Sequence, residues 1–156
     1  MKFIDFAKKL DIDFDKIISE TMQEPDMQAA LIDYNQNEQL AKGLDAKGQH
    51  IETIGGEEAG TGSYSPYTMA NRAEKGLQTN NVDLKVTGYF WNTFFVESRA
   101  KETEIKANFQ KGSDNILYNF DKKYDFLGLI NENLKGFVTW NFLESFAKRV
   151  LLHVTR

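Results

Sequence analysis

The stretch that decides the fold is residues 87–110, which read TGYFWNTFFVESRAKETEIKANFQ. Aromatic side chains crowd residues 89–95, directly after a Thr-Gly pair. From residue 103 onward apolar and polar residues alternate, which is typical of a half-buried strand. The pattern predicts a short helix over 88–93, a strand over 94–100 and a second strand over 103–110. Because the link between the strands is so short, we expect an antiparallel hairpin.

Helical patterns lie on the N-terminal side of this hairpin. We expect four helices there: residues 3–10, Asp13 to Met22, Pro25 to about Lys42, and Ser65 to about Lys75. Asp13 and Ser65 are suitable N-caps, and a proline at the first helical position costs no hydrogen bond. Gly43 and Gly76 would end the third and fourth helices, since glycine accepts the left-handed backbone found there.

The C-terminal third is also predicted to be largely helical. Residues 114–123 suggest one helix, 124–130 a connection, and Asn131 the cap of a long helix to about Val154. The predicted buried side of that helix consists of Leu134, Phe137, Val138, Phe142, Phe146, Val150 and Leu151. Trp140, Leu143 and Val154 extend the apolar surface beyond one face. Such a helix needs a second partner, either the sheet with the N-terminal helices or another subunit.

These elements predict an α+β fold, with a small antiparallel β-sheet or hairpin packed against several helices and a long C-terminal helix. The length of 156 residues and the 41% of hydrophobic residues suit one domain, residues 1–156, with a single core. Glycines cluster at residues 55–63, where the sequence predicts a flexible surface loop.

Composition narrows the possible functions. The chain has no cysteine and two histidines, which excludes a disulfide framework and a thiolate metal site. A net charge of −4 argues against nucleic-acid binding through bulk charge, and we expect no sequence-specific nucleic-acid recognition. No apolar run is long enough for a signal peptide or a membrane span, so we expect no membrane association and a cytoplasmic site of synthesis.

Candidate chemical motifs are incomplete. The acidic residues around Asp13 lack the glycine and glutamate of a calcium loop, and the glycine-rich loop lacks the lysine of a phosphate-binding loop. Carboxylate pairs at Glu57-Glu58 and at Asp121 with Asp125 are better explained as solvated surface than as an acid–base pair. His50 and His153 have no accompanying triad or metal-ligand motif. We therefore expect no enzymatic activity, no cofactor and no metal, although a small hydrolase with an unrecognised site remains a further hypothesis.

Short motifs in the middle of the chain follow one another in a characteristic order: Tyr64-Ser65-Pro66-Tyr67-Thr68, Arg72, Lys75-Gly76, Val82-Asp83-Leu84, Thr87-Gly88, Phe90 and Phe94. Segments 39–48 and 127–134 extend the pattern on either side. This order resembles small tail-completion or head–tail joining proteins of the neck of tailed bacteriophages, particularly phages and prophages of Bacteroides-like hosts. The resemblance covers about residues 33–140.

The resemblance implies a structural virion protein, a subunit of a neck or tail ring that joins the capsid and portal to the tail. Its partners would be further copies of itself and other neck, tail or portal proteins, assembled in the cytoplasm of the bacterial host. Aromatic anchors would fill pockets on these neighbours. The candidate interaction residues are Tyr64, Tyr67, Arg72, Tyr89, Trp91, Phe94 and Trp140. The alternative is a non-enzymatic, monomeric protein-binding module or regulator.

Overall fold

The computed structural model describes residues 12–56, 64–99, 102–120 and 123–155, and it has the α+β fold that the sequence predicts. The helices are α1 (Phe14–Met22), α2 (Pro25–Gln36), α3 (Pro66–Glu74), α4 (Asn131–Phe137) and α5 (Leu143–Val154). The strands are β1 (Phe95–Arg99), β2 (Glu102–Lys106), β3 (Gln110–Lys111) and β4 (Asp114–Asn115). Short 3₁₀ turns occupy Leu40–Lys42, Trp91–Thr93 and Ile116–Asn119, and a π segment, Val138–Phe142, joins α4 to α5.

The predicted starts of three helices are confirmed. The Asp13 carboxylate accepts a hydrogen bond from the Lys16 amide at 3.0 Å, and the Ser65 hydroxyl accepts one from the Thr68 amide at 3.3 Å. Pro25 and Pro66 are the first residues of α2 and α3. Each cap satisfies one of the amides that the first turn of a helix leaves without an intrahelical partner.

The ends of the N-terminal helices differ in part from the prediction. Helix α2 stops at Gln36, and the region up to Lys42 is a turn followed by the first 3₁₀ segment. Gly43 closes that segment with a φ of 71°, the left-handed conformation expected of it. The helix predicted over residues 3–10 lies outside the described residues. So does most of the predicted glycine-rich loop.

The predicted hairpin is confirmed. Strands β1 and β2 pair antiparallel, with Phe95 opposite Lys106 and Arg99 opposite Glu102. Both strands are shorter than predicted. The second ends at Lys106 because the next residues turn back toward the 3₁₀ segment, where the Asn108 amide donates to the Thr93 hydroxyl at 3.0 Å.

The helix predicted over 114–123 is wrong. The chain instead forms a second hairpin from β3 and β4, which are two residues long each. The hairpin turns at Gly112, whose φ of 62° allows the tight turn. A 3₁₀ turn follows, capped by the Asn115 side chain, which accepts from the Leu117 amide at 2.9 Å. Earlier in the chain, one isolated antiparallel bridge joins Leu44 and His50.

The C-terminal helix extends over the predicted range, but much of its predicted buried side is not buried. Asn131 is its first helical residue and Ile130 occupies the cap position, so the predicted cap is wrong by one residue. Phe137 is the only buried residue from Asn131 to Val154. Leu134 and Leu151 are 45% and 62% exposed. Phe146 packs on α1, with its ring 6.1 Å from that of Phe14.

Two apolar clusters form the core. The larger consists of Leu40, Ile51, Tyr64, Val82, Phe90, Trp91, Tyr124 and Phe126. The smaller consists of Met22, Leu31, Ile105 and Phe137. Phe94 is half-buried and packs against both, so the aromatic segment that follows Thr87-Gly88 connects the hairpin to the helices. Among the described residues, no helix has the length and apolarity that crossing a bilayer requires.

Candidate functional site

A buried ion pair, Arg72 with Asp83, lies beside a groove in the surface of the protein. Arg72, on α3, is 2% exposed, and Asp83, in the loop after α3, is 6% exposed. The Arg72 Nη2 atom lies 3.1 and 3.0 Å from the two carboxylate oxygens of Asp83. The Arg72 Nε atom donates to the Gln78 carbonyl at 2.7 Å, which ties the helix to the loop that follows it.

The Asp83 carboxylate is fully surrounded by donors. It accepts from the Tyr64 hydroxyl at 3.1 Å, from the Gln78 amide group at 2.7 Å and from the Lys85 backbone amide at 2.8 Å. Its own carbonyl accepts from the Trp91 indole at 2.8 Å. We call Tyr64, Arg72, Gln78, Asp83 and Trp91 the Arg72 network. A buried charge is tolerated when it is paired and hydrogen-bonded in this way.

Burial and the Asp83 carboxylate raise the pKa of Tyr64 well above its ordinary value. Burial is the larger cause, because it disfavours the charged phenolate. The Arg72 guanidinium lies over the Tyr64 ring at 4.5 Å from its centroid. The tyrosine therefore stays neutral and continues to donate its hydroxyl proton to Asp83.

The network also fixes the loop that leads to the hairpin. Leu84 has a φ of 57°, which is costly for a residue with a Cβ. Its neighbours hold it there, since Asp83 bonds to the Lys85 amide and the Lys85 ammonium lies 4.4 Å from the centre of the Trp91 ring. The result is a loop with one defined shape on the outer side of the core.

A second buried polar group holds the segment between residues 124 and 130. The Gln39 side chain donates to the Gly128 carbonyl and accepts from the Ile130 amide, both at 2.9 Å. Asp45 is fully buried and accepts from the backbone amides of Lys47 and Gln49 at 2.9 and 2.8 Å. These side chains bond to backbone, so their role is to hold the connection in place.

The concave surface is a groove of about 610 Å³ between the start of α3, the loop over 82–90 and the β3–β4 hairpin. Tyr64 and Phe90 lie at its base, since both are buried. Its exposed apolar residues are Ile54, Val86, Tyr89 and Tyr118, with exposed fractions of 50%, 45%, 43% and 79%. We call this surface the groove.

The structure divides the predicted interaction residues into two sets. Tyr64, Arg72 and Trp91 are buried in the network, and their polar atoms form hydrogen bonds inside the chain. Phe94 is half-buried between the two apolar clusters.

The other three predicted residues are exposed. Tyr67 on α3 and Trp140 in the π segment are 79% and 77% exposed, and Tyr89 lines the groove. Sequence reasoning did not select Tyr118, which lies in the segment wrongly predicted as a helix. An available signal was the turn-forming run Gly112-Ser113-Asp114-Asn115, which favours a hairpin before residue 116.

The structure describes only some of the residues that the sequence suggested for chemistry. Within the described ranges, no three His, Asp or Glu side chains are grouped as metal ligands. His153 is exposed in the last turn of α5, and His50 forms the isolated bridge with Leu44. Glu57-Glu58 and Asp121 lie outside the described residues.

The chain was compared with family models, with curated proteins and with solved structures, and none of them matches it.

Proposed function

We propose that this protein is a non-enzymatic structural subunit that acts by binding other proteins through its surface. The observation that carries the proposal is the number of large apolar side chains left exposed. They include Ile54, Tyr67, Val86, Tyr89, Tyr118, Trp140, Leu143, Leu151 and Leu152, each more than two-fifths exposed. Large exposed aromatic side chains are enriched where proteins bind one another.

The rigid base beneath the groove supports this proposal. Val86 and Tyr89 lie two and five residues after Leu84, whose strained conformation the Arg72 network maintains. A surface that is already ordered loses little conformational entropy on binding. The groove therefore presents its aromatic rim in a form that suits docking.

The assembly we propose is the neck or tail ring of a tailed bacteriophage, with the protein joining capsid and portal to tail in the virion. This part is supported by the order of the motifs over residues 33–140. Several of these motif residues, Tyr64, Arg72, Asp83 and Phe90, build the core and the network. The motifs thus specify a stable frame, and the exposed residues around it would bind further copies and other neck, tail or portal proteins.

Mass spectrometry of purified phage particles tests the proposal. We expect the protein at a fixed stoichiometry in intact particles, and its gene beside genes for portal, capsid and tail proteins. The double variant Tyr89→Ala with Tyr118→Ala should be lost from particles without a change in its melting temperature. Glu132→Ala, exposed at the start of α4, is the matched control. Absence of the wild-type protein from particles would contradict the virion role.

The alternative is a monomeric protein-binding module or regulator, for which the groove, with its exposed Ile54, Val86, Tyr89 and Tyr118, would be the binding surface. Co-purification from host cells distinguishes the two functions. A regulator would bring down one host protein in a complex that the Tyr89→Ala, Tyr118→Ala variant does not form, and would be missing from particles.

A further inference from the structure

We propose that strand β2 pairs edge to edge with β2 of a second copy of this chain, antiparallel about a two-fold axis at Ile105. The two β1–β2 hairpins would then form one four-stranded sheet. The surface that pairs is the side of residues 103–106 that faces away from β1, which we call the β2 edge. This inference depends on the hairpin alone, and it holds whether or not the protein belongs to a virion.

The β2 edge carries backbone groups that the hairpin does not use. Two residues separate Arg99 from its partner Glu102, and the pair that closes a two-residue loop exchanges hydrogen bonds. Bonded and non-bonded pairs alternate along an antiparallel ladder, so the N–H and C=O groups of Thr103 and Ile105 point away from β1. Among the described residues, neither has another backbone partner. Such an edge is a template for a further strand.

The space beside the β2 edge is a hollow lined partly by apolar side chains. The hollow has a volume of about 520 Å³ and lies between residues 103–106 and residues 127–129. Leu134, which also lines it, is 45% exposed, and Leu127 and Leu129 are half-buried. The Ile105 side chain packs in the smaller apolar cluster, so an incoming strand would meet its backbone. A strand added there would also cover part of these leucines.

The charges of β2 favour a second copy as the partner. Glu102, Glu104 and Lys106 project from one face of the hairpin, where Lys106 bonds to both Glu97 and Glu104. With the axis at Ile105, Glu104 of each copy lies directly opposite Lys106 of the other, with their Cβ atoms roughly 5 Å apart. The like pairs, Glu104 with Glu104 and Lys106 with Lys106, are diagonal neighbours at roughly 7 Å. Unlike charges are therefore closer than like charges.

Every other register centred on β2 brings like charges directly opposite each other. An axis at Thr103 would place Glu102 opposite Glu104 of the second copy. An axis at Glu102, Glu104 or Lys106 would place that residue opposite itself. Intermediate registers would pair side chains from opposite faces of the sheet, so they do not form. Because like charges directly opposite are destabilising, the strand is self-complementary in one register, as a two-fold contact requires.

The first experiment uses the absence of cysteine from the sequence. An equimolar mixture of full-length Glu104→Cys and Lys106→Cys should give a disulfide-linked heterodimer in high yield on mild oxidation, because the two thiols face each other. Each variant alone should cross-link about tenfold less, since diagonal neighbours are too far apart for a disulfide. Equal yields in the mixture and in the separate variants would overturn the proposal. So would a higher yield from Glu104→Cys alone, which would place the axis at Glu104.

Sedimentation equilibrium of the full chain supplies an independent measurement. We expect a reversible wild-type dimer, because one pair of strands is a small interface. Lys106→Glu should raise the dimer Kd by about tenfold or more, since it places two carboxylates opposite each other at both contacts. The charge-swapped double variant Glu104→Lys, Lys106→Glu should restore the Kd. Lys75→Glu, exposed after α3, is the matched control and should leave it unchanged. Failure of the swap to restore the dimer would overturn the proposal.

Other occupants of the β2 edge give different results. If an extended segment of an unrelated protein pairs with it, the full chain stays monomeric up to millimolar concentration. If residues 1–11 of the same chain pair with it, the wild type is a monomer and the chain lacking residues 1–11 becomes a dimer. Either result overturns the proposal.

Discussion

The Arg72 network and helix α5 are opposite in where they place polar and apolar side chains. In the network, charged side chains lie inside the protein and their polar atoms are bonded within the chain. In α5, large apolar side chains lie outside and none is buried. The network is costly to disturb but complete in one chain. The outer side of the helix contributes little to the fold of one chain, so its apolar residues are better explained by what binds there.

The two tryptophans give the largest test of this comparison. Trp91→Ala removes a buried aromatic ring and leaves the Asp83 carbonyl without its indole donor, so we expect a loss of about 4–6 kcal/mol in the free energy of unfolding. Trp140→Ala, at an exposed position in the π segment, should change it by less than about 0.5 kcal/mol. Urea denaturation followed by circular dichroism measures both. Similar losses of unfolding free energy for the two variants would show that burial does not distinguish the network from the C-terminal helix.

Two of the arginines that have carboxylate partners, the buried Arg72 and the partly exposed Arg149, give the next test. Arg72→Met leaves Asp83 buried without its counter-ion and should cost about 3–5 kcal/mol of stability. Arg149→Met removes the bonds from α5 to Glu20 and Glu24 of the α1 region, which are partly exposed, and should cost about 0–1 kcal/mol. Adding salt should weaken only the Arg149 contribution appreciably. A small effect of Arg72→Met would contradict the central role of the network.

Through Tyr64, the Arg72 network makes the free energy of unfolding depend on pH in the alkaline range. Burial raises its folded pKa above the ordinary value of 10.0, so at higher pH the unfolded chain loses this proton while the folded chain keeps it. The stabilising contribution is full below pH 10 and is lost as the pH rises from 10.0 toward the folded pKa. The Tyr64→Phe variant lacks this titrating group. Its free energy of unfolding should therefore fall less steeply with pH than that of the wild type, by at most about 1.4 kcal/mol per pH unit.

The matched control for that experiment is Tyr67→Phe, because Tyr67 is 79% exposed. Its variant should show the same dependence of unfolding free energy on pH as the wild type between pH 9 and 11. At neutral pH, Tyr64→Phe should cost about 1–2 kcal/mol through the lost bond to Asp83. If the free energy of unfolding depends on pH in the same way in the wild type and in both variants, Tyr64 does not keep its proton in the folded protein.

The smallest expected effect lies on the exposed side of α5 that carries Leu143 and Leu151, which we call the α5 stripe. The double variant Leu143→Gln, Leu151→Gln keeps good helix formers at exposed positions and should leave the stability of the monomer within about 0.5 kcal/mol. Leu31→Gln, in the smaller apolar cluster, should cost more than about 2 kcal/mol because Leu31 is buried. Thermal melts at low protein concentration compare the two. Equal destabilisation would mean that the stripe is part of the core.

What the sequence could predict was local. The starts of α1, α2 and α3 depend on a capping residue or a proline within one turn, so Asp13, Pro25 and Ser65-Pro66 identified them. The β1–β2 hairpin followed from alternation. The helix predicted over 114–123 failed because Ile116, Leu117 and Phe120 have spacings that a 3₁₀ turn also produces.

The candidate site was less predictable, because its geometry depends on residues far apart in sequence. Tyr64, Arg72 and Trp91 were identified as important, but the sequence could not show that Asp83 brings them together inside the protein. The side of α5 that faces the core was ambiguous for a different reason. Apolar residues lie on both sides of it, so periodicity alone could not assign Leu151 to solvent.

The π segment sets the rotational phase between α4 and α5. After Phe137, the side chains that contact the rest of the protein include Phe142, Phe146 and Arg149, at steps of five, four and three. An unbroken α-helix would instead have continued that side with Asn141, Ser145 and Lys148. The single extra residue held in the π turn thus turns α5 by about 100° and exchanges a polar side for an aromatic one. A one-residue deletion there would turn α5 by about the same angle and carry Phe146 and Arg149 away from Phe14 and Glu20 on α1.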